Sequence, residues 1–228
     1  LLVIFFLVIF TINFNLFKGY QEHLTFSLLC FFIFIYHEEK NEKVLTIFTL
    51  LIINCLIWIK NESIIFIIPI FFLIVFKKNI NNKNKFLFSL SFFLILFLRY
   101  FLIEYFGELS FQGSRFSIEN IFSEIFNFNT FFHDAFYIFK YLLIGIVKNP
   151  IILLFALLNI WYFKKIKLHN FNALTFFYIV ILFELLFIYH IADTESLTWL
   201  LSTSMDRLLF QISGLLIFDV VKRLEKIK

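Results

Sequence analysis

Two opposite charges lie two positions apart inside a long apolar run. The run covers residues 44–76, and its centre reads Lys60-Asn61-Glu62. One membrane helix needs about 20 residues, so a single span of this length is excluded and the sequence predicts a tight hairpin turn at these three residues. Burying ionised groups within an apolar membrane segment is costly unless they are paired. They either cap two helix ends and extend toward water, or line a hydrated cavity and contact an anionic group of a substrate.

A second polar group precedes the last apolar segment. Residues 202–204 read Ser-Thr-Ser and are good N-cap residues, so we predict a helix that begins near Ser204. Arg207 and Gln211 are four residues apart and share one face of that helix. Helix N-terminal amides and an arginine in the first turn would bind a phosphate or pyrophosphate. The alternative is that Asp206 and Arg207 only anchor the helix at the membrane interface.

Other polar side chains allow weaker predictions. The stretch 104–134 is rich in aromatic residues and carboxylates, which suggests acceptor or sugar binding without specifying it, and it contains Arg115. Glu184 lies inside an apolar segment, so we expect it to pair with Arg99 or with a residue of another span. No metal site is predicted, because the histidines near this border lack ligand spacing: His23, His133 and His190.

The composition determines the class of protein that must position these groups. Hydrophobic residues make up 61% of the 228 residues and charged residues only 16%, with a mean hydropathy of +0.92. A water-soluble domain could not cover that much apolar surface. We therefore predict an all-α polytopic membrane protein with about eight transmembrane helices. The apolar segments are 1–17, 24–36, 44–59, 63–76, 86–103, 149–163, 171–191 and 207–221.

The basic residues predict the orientation of these segments. Of the 20 Lys and Arg, 13 fall on one face if there are eight spans, and basic loops are typically cytoplasmic. The C-terminus is then cytoplasmic, and all the polar groups above face outward. A ninth span at 135–147 would reverse this arrangement downstream, so we predict that residues 116–148 form interfacial helices on the outer face. The chain is predicted to be one transmembrane helical domain, 1–228, with its outer loop and interfacial helices at 104–148.

Three short motifs, in this order and with these gaps, give the chain a family resemblance. They read Gly19-Tyr20-Gln21-Glu22, Lys60-Asn61-Glu62-Ser63 and Thr203-Ser204-Met205-Asp206-Arg207-Leu208. Roughly over residues 19–221, the chain resembles the later half of bacterial type-C glycosyltransferases, the polytopic enzymes related to protein-mannosyltransferases and aminoarabinose transferases. Gln21 and Ser63 stand where the family pattern has Ala and Gly. Because the chain begins inside an apolar segment at Leu1, it is expected to be a C-terminal fragment.

The resemblance implies transfer of a sugar from a polyprenyl-phosphate donor to a glycan, lipid or protein acceptor on the outer face of the bacterial plasma membrane. It assigns donor contacts to Lys60, Asn61, Glu62, Ser204, Arg207 and Gln211. It places Tyr20, Glu22, Arg115 and Asp206 along the cavity. The catalytic carboxylate is expected upstream of Leu1, so the fragment alone would be inactive. The need for a divalent metal stays open, and no nucleic-acid partner is expected.

Other functions compete with this one. A transporter or a flippase for lipid-linked oligosaccharides would need polar residues through the membrane depth and helices broken by Gly or Pro. The chain has only 2 prolines, and its polar groups cluster on one face, which disfavours transport. A lipid-linked polymerase would need more arginines in the large outer loop. A membrane assembly subunit without chemistry is the fourth possibility.

Overall fold

The structure, a computed structural model, describes residues 20–59, 63–106, 128–148, 152–154, 157, 173–191 and 197–225. The main secondary-structure elements in these residues are all α-helices. In chain order they are α1 (Tyr20–Glu38), α2 (Glu42–Ile59), α3 (Ile64–Phe76), α4 (Asn82–Phe106), α5 (Phe128–Lys148), α6 (Ala173–Ile191) and α7 (Leu197–Glu225).

The all-α prediction is confirmed for the described residues, and three of their helices are long and apolar enough to cross a membrane. These are the stretches Glu42–Ile59, Asn82–Leu102 and Thr130–Lys148, while Ile65–Phe76 is apolar but shorter. Six of the eight predicted segments coincide with a described helix. The other two, 1–17 and 149–163, fall outside the described residues apart from 152–154 and 157. The count of eight spans is therefore not confirmed.

Asparagine side chains determine where two of the helices begin. The Asn41 Oδ1 accepts hydrogen bonds from the backbone N–H groups of Lys43 and Val44, at 3.1 and 3.4 Å. The Asn81 Oδ1 accepts one from the N–H of Asn84 at 2.8 Å. Both residues thus act as N-caps, satisfying amides that have no acceptor inside the helix. These caps let a short polar stretch end one helix and begin the next.

The first four helices form two hairpins whose closed ends meet. Lys77, at the end of α3, donates from Nζ to the carbonyl oxygen of Tyr36 at 2.6 Å. Glu42, at the start of α2, accepts hydrogen bonds at Oε2 from the Asn81 backbone N–H and the Asn84 side chain, at 2.8 and 3.0 Å. We call this the basic end of the bundle, because its loops and the adjoining first turns of α2 and α4 carry Lys40, Lys43, Lys77, Lys78, Lys83 and Lys85.

Helices α1 and α7 pack against each other in parallel, although they are far apart in the sequence. Phe26 stacks on Phe210, with ring centroids 5.1 Å apart, and His37, a further three turns along α1, stacks on Phe218 at 5.4 Å. Residue numbers at the contacts therefore increase together along both helices, so the helices are parallel. The N-terminal parts of α1 and α7 lie together, at the end of the bundle opposite the basic end.

Helix α5 differs from the expectation of interfacial helices over 116–148. It is one continuous helix of 21 residues, and most of it qualifies by length and composition as a membrane span. It packs against both α6 and α7. Its residue Gly145 lies against Leu209, and its residue Asp134 contacts His190 near the end of α6. The prediction of outer-face helices is not confirmed.

Because the basic end and the opposite end of the bundle are far apart, we predict that they are labelled from different sides of a membrane. In a background with Cys30 and Cys55 replaced by alanine, Lys40→Cys and Lys78→Cys should react with a membrane-impermeant maleimide from one side only. Asn61→Cys and Thr203→Cys should react from the other side, because α2 alone separates the two ends by roughly 27 Å at 1.5 Å per residue. Labelling of positions 61 and 203 from opposite sides would contradict the arrangement.

Candidate functional site

A partly buried ion pair joins the first motif to the last. The Arg207 Nε donates to the Glu22 Oε1 at 2.8 Å, and the Nη2 group donates to the same oxygen. Glu22 is 3% exposed, and it lies in the first turn of α1, where the helix dipole favours a negative charge. The two side chains are 185 positions apart in the sequence. The structure thus brings together two of the residues that the sequence assigned to one cavity.

Glu22 orients the guanidinium of Arg207 but occupies only some of its hydrogen-bond donors. An arginine has five N–H donors, and Glu22 accepts from two of them. The remaining donors make no hydrogen bond within the described part of the chain, and the Arg207 side chain is 37% exposed. A guanidinium oriented by a buried carboxylate and still open on its other edge can bind phosphate in a fixed geometry. Glu22, which was predicted to lie along the cavity, is a buried partner of Arg207 in the structure.

The predicted helix start at Ser204 is wrong. Helix α7 begins at Leu197, so Ser204 lies in its second turn and its backbone N–H group cannot serve as a terminal anion site. The reason is that the apolar residues before Ser204 continue the helix, and a Ser-Thr-Ser sequence lowers helix propensity only weakly. The Ser204 hydroxyl is instead hydrogen-bonded to the Tyr189 hydroxyl, at 2.5 Å. This contact joins α7 to the end of α6.

Two other predicted residues of α7 are located. Gln211 is 2% exposed and lies one turn after Arg207. Asp206 is partly exposed, and its Oδ1 lies 3.3 Å from the position a Cβ atom would take at Gly145. Asp206 therefore faces α5, and Arg207 faces α1.

The other predicted site residues lie beyond what the structure describes. Lys60, Asn61, Glu62 and Arg115 are outside the described residues, and for Tyr20 only the backbone is described, as the first residue of α1. The helices on either side of 60–62 are described. Helix α2 is described as far as Ile59, and α3 begins at Ile64, while the predicted turn itself lies outside the described residues. Because α2 runs away from the basic end, its C-terminal end at Ile59 lies toward the same end of the bundle as Glu22 and Arg207.

Sequence reasoning missed a contact between α5 and α6. The His190 Nδ1 is 2.9 Å from the Asp134 Oδ2, and the His133 Nδ1 is 3.3 Å from the Asp134 Oδ1. The His190 side chain is 1% exposed and the Asp134 side chain 20%. The sequence offered one signal for this contact: Asp134 and His190 each lie close to the end of an apolar segment. This carboxylate can fix which ring nitrogen of His190 carries its proton.

The expected pairing of Glu184 with Arg99 is not formed. Both carboxylate oxygens of Glu184 are buried, and neither has a hydrogen-bond partner among the residues that the structure describes. Such a group in an apolar helix is costly when ionised. Within the described residues, His, Cys, Asp and Glu side chains form no group of three that could hold a metal ion.

None of the protein-family models, curated proteins or solved structures compared with this chain matches it.

Proposed function

We propose that this chain is part of a membrane glycosyltransferase that transfers a sugar from a polyprenyl-phosphate donor to an acceptor at the outer face of a bacterial plasma membrane. The observation that supports the proposal most is the Glu22–Arg207 ion pair. It joins two of the three motifs on which the family resemblance rests. The third motif, Lys60–Glu62, directly follows Ile59 in the sequence, and the C-terminal end of α2 lies toward the same end of the bundle.

The proposed reaction needs positive charge where the lipid phosphate leaves. The acceptor oxygen bonds to the anomeric carbon of the sugar, the bond from that carbon to the phosphate oxygen breaks, and a base takes the hydroxyl proton. Negative charge then accumulates on the phosphate, where fixed donors stabilise it most effectively. Arg207, oriented by Glu22, and Lys60, after the end of α2, are the two cations proposed for this role.

The proposed topology follows the basic residues. The protein is proposed to cross the membrane several times, with the basic end and the C-terminus in the cytoplasm. The Glu22–Arg207 pair would then lie toward the outer face, where a polyprenyl-linked sugar is presented to its acceptor. About eight spans, and interfacial helices after α4, belong to this proposal.

A transporter is the second candidate, and Glu184 favours it. A buried carboxyl with no hydrogen-bond partner, in the middle of α6, is typical of sites that bind and release a proton or cation. Transfer of a labelled sugar in a purified system would separate the two functions, because a transporter moves its substrate without changing its covalent bonds.

The direct test replaces Lys60 by alanine in the complete natural protein. Transfer of radiolabelled sugar from a polyprenyl-phosphate donor should fall at least about 100-fold, since removing one donor to a developing oxyanion commonly costs 10²–10³. Lys78→Ala is the matched control, because Lys78 is exposed at the basic end. Equal amounts of each variant in the membrane must be confirmed. Near-normal transfer by Lys60→Ala would remove this residue from the site.

A further inference from the structure

One side of α2 stays exposed, although the helix has several neighbours in the bundle. Its buried side packs against α1, α3 and α4. Its exposed side carries a row of residues that are four, three and four positions apart, and we call them the exposed row: Ile47, Leu51, Asn54 and Trp58. This alternation matches the repeat at which two parallel helices pack side by side in a left-handed pair.

Asn54 is the polar member of the exposed row. Its Oδ1 accepts a hydrogen bond from the Trp58 Nε1 at 3.2 Å, one turn further along the same helix. Its amide nitrogen carries two N–H donors, and neither makes a hydrogen bond within the described part of the chain. Because the Asn54 side chain is exposed, the surroundings of the helix must supply the acceptor for these donors.

The position of Asn54 along α2 excludes lipid tails as that acceptor. Helix α2 is long and apolar enough to cross a membrane. Asn54 lies roughly 18 Å along the axis from Glu42 and roughly 8 Å before Ile59, so in a membrane it is surrounded by hydrocarbon. Acyl chains offer no hydrogen-bond acceptor, and an amide without one is strongly disfavoured there. Asparagine side chains in membrane helices commonly hydrogen-bond to a second helix instead.

We propose that the exposed row of α2 is the interface of a homodimer, in which the Asn54 amides of the two copies hydrogen-bond to each other. A carboxamide is self-complementary, since it offers both N–H donors and an oxygen acceptor. Two copies inserted in the same orientation hold Asn54 at the same depth, and a two-fold axis along the helix brings like residues face to face. Ile47, Leu51 and Trp58 then pack against their counterparts. This inference goes beyond the proposed function and does not depend on sugar transfer.

The first test measures association directly. Donor-labelled and acceptor-labelled copies of the complete natural protein are mixed in liposomes, and energy transfer is followed as the protein is diluted with lipid. The wild type should dimerise, and Asn54→Leu should raise the dissociation constant about tenfold, equivalent to about 1.4 kcal/mol. Asn54→Gln keeps the amide and should retain most of the association. A thermal unfolding scan in detergent checks that each variant is folded.

The second test locates the interface by oxidative cross-linking in a background without other cysteines. Leu51→Cys should form a covalent dimer rapidly, since a disulfide needs Cα atoms within about 7 Å of each other. Leu90→Cys on α4 is the matched control, because Leu90 is 58% exposed against 54% for Leu51 and lies at a similar distance from the basic end. It should cross-link only slowly, through random collisions.

Three outcomes would overturn the proposal. The first is a wild type that stays monomeric at every protein-to-lipid ratio. The second is equal association of the wild type and Asn54→Leu, which would show that the amide does not hold two copies together. The third is cross-linking of Leu51→Cys no faster than that of Leu90→Cys, which would place the contact elsewhere.

Discussion

Replacing Glu22 by alanine is expected to destabilise the protein by about 3–5 kcal/mol, the usual cost of removing one partner of a buried ion pair. Glu22 is almost fully buried and holds the Arg207 guanidinium through two donors. Because Arg207 is partly exposed, water would recover some of its solvation, so the effect should fall toward the lower limit of that range. The measurement is denaturant unfolding of the purified protein in detergent.

A double-mutant cycle isolates the contribution of the pair. Arg207→Ala removes the guanidinium from the buried Glu22 carboxylate and should also destabilise the protein. The double variant should be less destabilised than the sum of the two single variants. Glu39→Ala is the control, since Glu39 is partly exposed at the basic end and accepts a hydrogen bond from the Asn41 backbone N–H. Additive effects of the two single substitutions would show that the pair does not stabilise the protein.

Replacing Gly214 by alanine is expected to loosen the packing of α1 against α7. A Cβ atom at Gly214 would overlap the Sγ of Cys30 and lie 2.8 Å from the Cε2 of Phe26. The Phe26 ring cannot move aside easily, because it is stacked on Phe210. Overpacking of this kind costs about 1–3 kcal/mol, and it should appear as a lower unfolding midpoint in detergent.

Gly145→Ala is a matched comparison on another helix. Its new Cβ would mainly meet the end of the Leu209 side chain, which can rotate away. The loss of stability should therefore be smaller than for Gly214→Ala. If Cys30→Ala, which removes the thiol, does not reduce the effect of Gly214→Ala, then the close approach of Cys30 to Gly214 is not its cause.

The helices were largely predictable because apolar runs and polar breaks are local signals. Asn41 and Asn81 follow apolar segments and cap the next helices. The ends of α7 were less predictable. The Ser-Thr-Ser sequence resembles a helix start, yet the apolar residues before it continue the helix to Leu197.

Contacts between distant helices were only partly predictable. Glu22 and Arg207 were placed at one end of the bundle by the predicted topology, but their direct pairing depends on which face each helix turns to the other. The Asp134–His190 contact joins residues 56 positions apart, and neither residue lies in a recognisable motif. Side-chain packing decides such pairs, and a single sequence carries no record of it.

The parallel pairing of α1 with α7 has a consequence for biosynthesis. Ribosomes add about 5–20 residues per second, so roughly 10–40 s pass between synthesis of Glu22 and synthesis of Arg207. During that interval the nascent chain holds an acidic side chain near the membrane without its eventual counter-ion. The N-terminal part of α1 therefore reaches its final packing only after the last helix has been made.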